Sequence, residues 1–248
     1  MPPRAVIFDL DGTLLDTETL STEAIQMVLD RWGTGRTLEF SLKSRLLGLR
    51  GEIWGPMVVQ ELELEGLLPP ETLVSEWEKN LKGLSSQVQL MPGAAVTVRL
   101  LQEQLEVQLG IATSSVSASV AVKRAAGEQQ QQIFDAMTVV VCGDDPCLPK
   151  GRGKPLPDIY LLAAERLGIP PSSCVAVEDS LAGLESALRA GMYCIGVPSD
   201  PRMAVEPFHK LIAAHGGRGA VWTSLEAKSG EEMKDRWLQV LECCDSIR

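Results

Sequence analysis

Two aspartates two residues apart, Asp9 and Asp11, follow an apolar run and precede Gly12 and Thr13. Paired carboxylates in unlike surroundings can divide a reaction, one as nucleophile and the other as acid and base. Gly12 permits the sharp turn that both side chains need. Three further clusters could join them. Thr113-Ser114-Ser115 offers hydroxyls and backbone N–H groups able to hold phosphate oxygens, and it also reads as a helix N-cap. Lys154 lies between Gly153 and Pro155, with Pro157 beyond, on backbone stiffened out of helix. A lysine so held can pair with a carboxylate and a phosphate together; the bland alternative is a surface turn. It is not a P-loop lysine, because proline follows it rather than Ser or Thr. Glu178-Asp179-Ser180 precedes a helical pattern, as metal ligands do and as helix caps do.

The elements that must position these residues are short. Arg4–Phe8 (RAVIF) reads as a strand buried on both faces, with Asp9 where it ends. Similar runs recur at Val107–Ala112, Thr138–Val141, Cys174–Val177 and Tyr193–Val197. Helical spacing lies between them, as at Leu181, Leu184 and Leu188 with Gly191 as a stop, and from Pro157 to Gly168. Alternation of this kind predicts an α/β fold with a doubly wound, Rossmann-like parallel sheet. Four clusters at four strand ends of one sheet would converge on one spot.

Residues 17–89 break the rhythm. Leu20, Ala24 and Val28, with Ile25, Leu29 and Trp32, form a helical stripe, and Ile53–Leu64 and Thr72–Leu84 are further helix candidates. A helical block after the first strand predicts an inserted domain, so the expected organisation is a core of residues 1–16 and 90–248 with a helical insertion of 17–89. Pro92-Gly93 is a turn at its exit. The glutamine run 129–132 reads as the continuation of a helix or loop near Ala125.

Composition narrows the function classes. The chain has 248 residues and a formal net charge of -10, which repels phosphate backbones and anionic lipids. Neither nucleic acid nor membrane is therefore expected as a partner. The six cysteines form no C-x-x-C pair or zinc-like cluster, and their usage suits a reducing compartment. The opening MPPRAVIFDLDGTLLD does not read as a signal peptide, since aspartates interrupt its short apolar stretch. The expected location is cytoplasmic.

In order and spacing, DLDGTLLDTE, IATSSVSAS, GKPLPDIY and VEDSLAGLESALRAGM resemble the four motifs of haloacid dehalogenase-superfamily phosphatases, over essentially the whole chain. Within that superfamily LMPGA, IATSSVSAS, CGDDP and the last two stretches look most like the pseudouridine-5'-phosphatase branch, and plant-type flavin mononucleotide phosphatases are similar over the same stretches. The resemblance implies a phosphoric monoester hydrolase that uses Mg2+ and an aspartyl-phosphate intermediate. Its substrate would be a small phosphorylated metabolite, with pseudouridine 5'-phosphate the first choice. It implies Asp9 as nucleophile and Asp11 as the acid and base, the Asp11 backbone carbonyl also binding magnesium. Thr113 and the Ser114 N–H would hold the phosphoryl group, and Lys154 would neutralise Asp9 and phosphate. Asp179 would be a metal ligand alongside Asp9, with Glu178 a ligand or its supporting neighbour. Asp16 would order the loop or the connection to the insertion. The insertion would be a small α-helical cap that closes over the site. Gly48 and Arg50 fall in a segment resembling the part of the cap that faces substrate, although a solvated arginine reads equally well. A monomer is expected.

Competing readings remain. The β-phosphoglucomutases share all four motifs but usually carry a histidine soon after the first; here the region reads Thr17-Glu18-Thr19-Leu20-Ser21, while His209 and His215 lie far downstream. Dehalogenation is disfavoured by Asp11. A silent binding protein would have lost Asp9, Asp11, Lys154 or Asp179, and all four are present. The stretch 145–152 is long for the motif that follows. Beyond Asp200 the match weakens, with a last helix expected at about Lys234–Cys243.

Overall fold

The computed structural model describes residues 4–46, 51–200 and 202–246. Its strands are β1 (Ala5–Phe8), β2 (Leu15–Asp16), β3 (Gln89–Leu90), β4 (Gln108–Ala112), β5 (Val139–Val141), β6 (Cys174–Glu178), β7 (Tyr193–Gly196) and β8 (Gly219–Val221). Six of them form one sheet in the order β5-β4-β1-β6-β7-β8. Every pairing in it is parallel. The five apolar runs of the sequence supply five of these strands; β8, at the edge, is short and half-buried, and carried no such signal.

A parallel sheet needs both faces covered. Side chains alternate along β1. Ala5 and Ile7 belong to a core with Tyr160, Ala163, Leu184 and Phe208, contributed by helices Asp158–Leu167, Leu181–Arg189 and Glu206–Ala214. Phe8 meets Trp237 of helix Gly230–Ser246 edge-on, with ring centroids 6.4 Å apart. That last helix begins before the expected Lys234 and extends past Cys243. The glutamine run lies in a helix of its own, Glu128–Asp135, where Gln130 is buried. Fully extended Gly127 separates it from helix Ser117–Arg124.

The chain divides into two compact units, residues 1–16 with 89–248, and residues 17–88. Gln89 falls in the first because β3 pairs antiparallel with β2, Asp16 opposite Gln89. The second unit contains helices Thr17–Arg31, Phe40–Leu46, Gly51–Glu61 and Pro70–Leu84. Its core is built from Val28, Leu29, Leu42, Trp54, Val58 and Leu73. Trp54 and Trp77 pack edge to face at 5.1 Å, and buried Asn80 donates to the Ala24 carbonyl at 3.1 Å, tying the last helix to the first. Gly48 and Arg50 lie outside the described residues. Among the described residues no helix is long and apolar enough to cross a membrane.

Candidate active site

β1 sits between β4 and β6. The strand order reverses direction there, and the crevice beyond the carboxyl ends of such strands is where open α/β sheets bind ligands. Asp9 emerges at that point, its N–H still bonded to Val177 O at 2.9 Å, so the sheet itself fixes the backbone of the aspartate. Gly12 turns the chain with φ +86°, and a Cβ there would come within 2.1 Å of Asp179 Oδ2. The Asp9–Thr13 turn and the end of β6 are thus pressed together. Gly183 plays the same part from the helix behind, where a Cβ would approach Glu178 Oε1 to 1.8 Å.

Lys154 is the hub. Its Nζ donates to Asp9 Oδ1 at 2.5 Å and to Glu178 Oε1 at 2.6 Å, with its side chain 7% exposed. Glu178 Oε1 also accepts from Tyr160 Oη at 2.7 Å, and the Tyr160 ring lies 5.1 Å from the ammonium. The loop carrying Lys154 is tied on both sides: Arg152 Nε meets Asp158 at 2.6 Å, and Arg166 grips Asp145 at 2.5 and 2.8 Å. The long stretch 145–152 is therefore anchored rather than loose, and Lys154 is buried rather than a surface turn residue.

The cap-or-site ambiguity of two clusters divides residue by residue. Ser180 caps helix Leu181–Arg189, accepting from Gly183 N at 3.1 Å, while the carboxylates of Glu178 and Asp179 stay buried beside Asp9. Helix Ser117–Arg124 takes its cap from outside the motif, with Asp144 Oδ1 accepting from Ser117 N at 2.7 Å. Ser115 is consequently not a cap. Its hydroxyl donates to Asp11 Oδ2 at 2.6 Å. Thr113 is buried at the end of β4, 3.4 Å from the same oxygen, and Ser114 is exposed beside it.

Burial raises the Asp9 carboxyl to about 7; Lys154 opposes this, and the nearby Glu178 and Asp11 charges add to it. Burial works against the Lys154 ammonium, but Asp9 and Glu178 outweigh it and hold its pKa above the ordinary lysine value. Tyr160 is raised by burial and by the same two carboxylates, which keeps its hydroxyl a donor.

Carboxylate oxygens of Asp9, Glu178 and Asp179 lie within 4.8 Å of one another. Three buried carboxyls against the single charge of Lys154 leave a negative surplus in a low-dielectric site. A hard divalent cation with oxygen ligands matches that donor set. These residues fit magnesium.

Of the residues singled out from sequence, Asp9, Asp11, Thr113, Ser114, Lys154, Glu178 and Asp179 all stand at the carboxyl end of the sheet. Sequence reading assigned no role to Tyr160, Thr13 or Lys123, and it offered Ser115 as a helix cap or phosphate-holding group rather than as a partner of Asp11. Thr13 donates to Asp179 Oδ1 at 3.4 Å, and Lys123 bonds Asp11. The available signal for Lys123 was its spacing, one helical turn beyond apolar Val120 on the buried side.

The family model described as haloacid dehalogenase-like hydrolase matches residues 3–191. A probable pseudouridine-5'-phosphatase of Drosophila melanogaster is 38% identical over 81% of this chain and 83% of its own length. The (DL)-glycerol-3-phosphatase 2 of Arabidopsis thaliana is 33% identical over 81% of each chain. Among solved structures, a HAD family hydrolase from Deinococcus radiodurans, crystallised with bound phosphate and sodium, superposes with a TM-score of 0.73 at 27% identity, covering 96% of both chains.

Proposed function

The chain belongs to the haloacid dehalogenase-like hydrolases and is a phosphoric monoester hydrolase acting on phosphorylated metabolites, and on that premise we propose that it works through an aspartyl-phosphate on Asp9 with magnesium as cofactor. The observation that carries this reading is the bridge of Lys154 between Asp9 and Glu178 inside a cluster of three carboxylates. Asp9, Glu178 and Asp179, with the Asp11 backbone carbonyl, would hold the ion. Bound there, magnesium supplies positive charge against the carboxylates and the transferring phosphoryl group.

The chain's own groups do the rest. Asp9 Oδ attacks phosphorus in line, and the bond to the leaving oxygen breaks as Asp11 delivers a proton to that oxygen. Asp11 then takes a proton from water, whose oxygen attacks the same phosphorus and frees Asp9 and inorganic phosphate. Lys154 orients Asp9 and offsets phosphoryl charge, while Thr113 and the Ser114 N–H hold the phosphoryl oxygens. Catalysis of this type is mostly positioning and electrostatics. We assign substrate choice to the helical unit acting as a cap, with pseudouridine 5'-phosphate as first choice from the 38% identical relative, and glycerol phosphate next.

The test is phosphate release from a panel of nucleoside, flavin, glycerol and sugar phosphates, comparing the intact protein with Asp9→Asn. Turnover should fall on the order of 10⁴-fold or more in the variant, and stop reversibly in excess chelator. Activity retained by Asp9→Asn removes the nucleophile assignment, activity retained in chelator removes the metal, and interconversion of glucose phosphates without phosphate release replaces hydrolysis by a mutase.

A further inference from the structure

Lys123 is a buried cation that the scheme above does not use. It lies in the last turn of helix Ser117–Arg124 and is 7% exposed. Lysine at a helix C-terminus ordinarily stays in water and interacts with the helix dipole. Here Nζ turns inward instead, donating to Asp11 Oδ1 at 2.5 Å and to Ser115 Oγ at 2.9 Å. Ser115 Oγ in turn donates to Asp11 Oδ2 at 2.6 Å. The three side chains close a ring in which both oxygens of Asp11 are engaged. Desolvating an ammonium is costly before any pairing, and ordering a lysine side chain adds to that. Val120, one turn earlier, fills the same helix face without either cost. The clamp thus acts on the one carboxylate in the loop that Lys154 does not touch.

Resting on the phosphatase reading, we propose that Lys123 is a positioning residue for proton transfer to the substrate's leaving oxygen, holding Asp11 in place together with Ser115. An aspartate on a glycine turn has several rotamers, whereas proton transfer needs heavy atoms about 2.6–3.2 Å apart. Misplacement by an ångström costs on the order of 10²-fold.

The experiment follows leaving-group release in the first turnover of the intact protein with magnesium, using glycerol phosphate and dinitrophenyl phosphate. The phenolate leaves without a proton, so only the alkyl ester depends on Asp11 in this step. Asp11→Ala is the reference for that pattern. Lys123→Met should slow the alkyl ester on the order of 10²-fold and leave the aryl ester within about threefold of wild type. Lys123→Arg should restore part of the loss. Adding Lys123→Met to Asp11→Ala should cost nothing further. Ser115→Ala should show the same ester selectivity, and it carries the test should Lys123→Met fail to fold by circular dichroism. Equal losses on both esters, no loss, or a faster alkyl ester would overturn the inference. Should wild type cleave neither ester, the phosphatase reading fails; should Asp11→Ala discriminate while Lys123→Met and Ser115→Ala do not, only the positioning role fails.

Discussion

Lys154 and Lys123 each sit 2.5 Å from an aspartate of the same turn, yet they stand in different surroundings. Lys154 bonds Asp9 and Glu178, whose side chains are 9% and 1% exposed. Lys123 bonds Asp11, 28% exposed, with a serine hydroxyl completing its shell. The first lysine is part of a sealed charge cluster and the second anchors a side chain that stays partly open to solvent. The difference matches the division of labour proposed for the two aspartates: a nucleophile that must not move, and an acid-base group that must meet both leaving oxygen and water.

The largest effect should come from removing the hub. Lys154→Met leaves two buried carboxyls without their cation, and should cost about 3–5 kcal/mol in urea unfolding, against about 1–2 kcal/mol for Lys123→Met. Equal costs would erase the contrast between sealed and open clusters.

Next comes pH. Asp9 rises from 3.8 to about 7 in the folded, metal-free protein. A carboxyl raised by folding binds its proton more tightly folded than unfolded. Asp9 therefore carries no penalty below 3.8, a growing one between 3.8 and about 7, and the full one above. In chelator, thermal stability should decline across that window more steeply in wild type than in Asp9→Asn. Magnesium affinity should climb with pH through the same window, since binding must displace the proton. Parallel pH profiles for the two proteins would contradict the burial argument for Asp9.

The smallest effect sharpens the sealed cluster itself. Tyr160→Phe removes the hydroxyl bonded to Glu178 Oε1 but keeps the ring beneath Lys154. It should cost about 1.5 kcal/mol of stability and weaken magnesium about tenfold, read by calorimetry. A variant with unchanged magnesium affinity would make Tyr160 packing alone.

Much of the sheet was legible because parallel strands buried on both faces must be continuous apolar runs, as at Ala5–Phe8 and Cys174–Glu178. The edge strand β8 escaped because Gly219-Ala220-Val221 holds a single β-branched residue, where the equally short β5 is three valines. Gln89 was assigned to the helical insertion because an isolated two-residue pairing has no periodicity to read. In the site, the aspartates and Glu178 declared themselves by standing at strand ends. Tyr160 and Lys123 did not, since each lies within a helix, Tyr160 in a first turn and Lys123 in a last turn, where an aromatic or a lysine is ordinary.

The sequence by itself determined which chemistry was available: carboxylates, a stiffened lysine and hydroxyls at the ends of strands that could only be parallel. Those properties are local, written in residue type and in spacings of a few positions. Tertiary structure alone decided which groups meet. Lys154 reaches Asp9 across 145 residues and Lys123 reaches Asp11 across 112, and Asp144 takes the cap that Ser115 could have provided. Burial, and with it the elevated Asp9 pKa, belongs to that second level, because desolvation is set by everything packed around a group rather than by its neighbours in the chain.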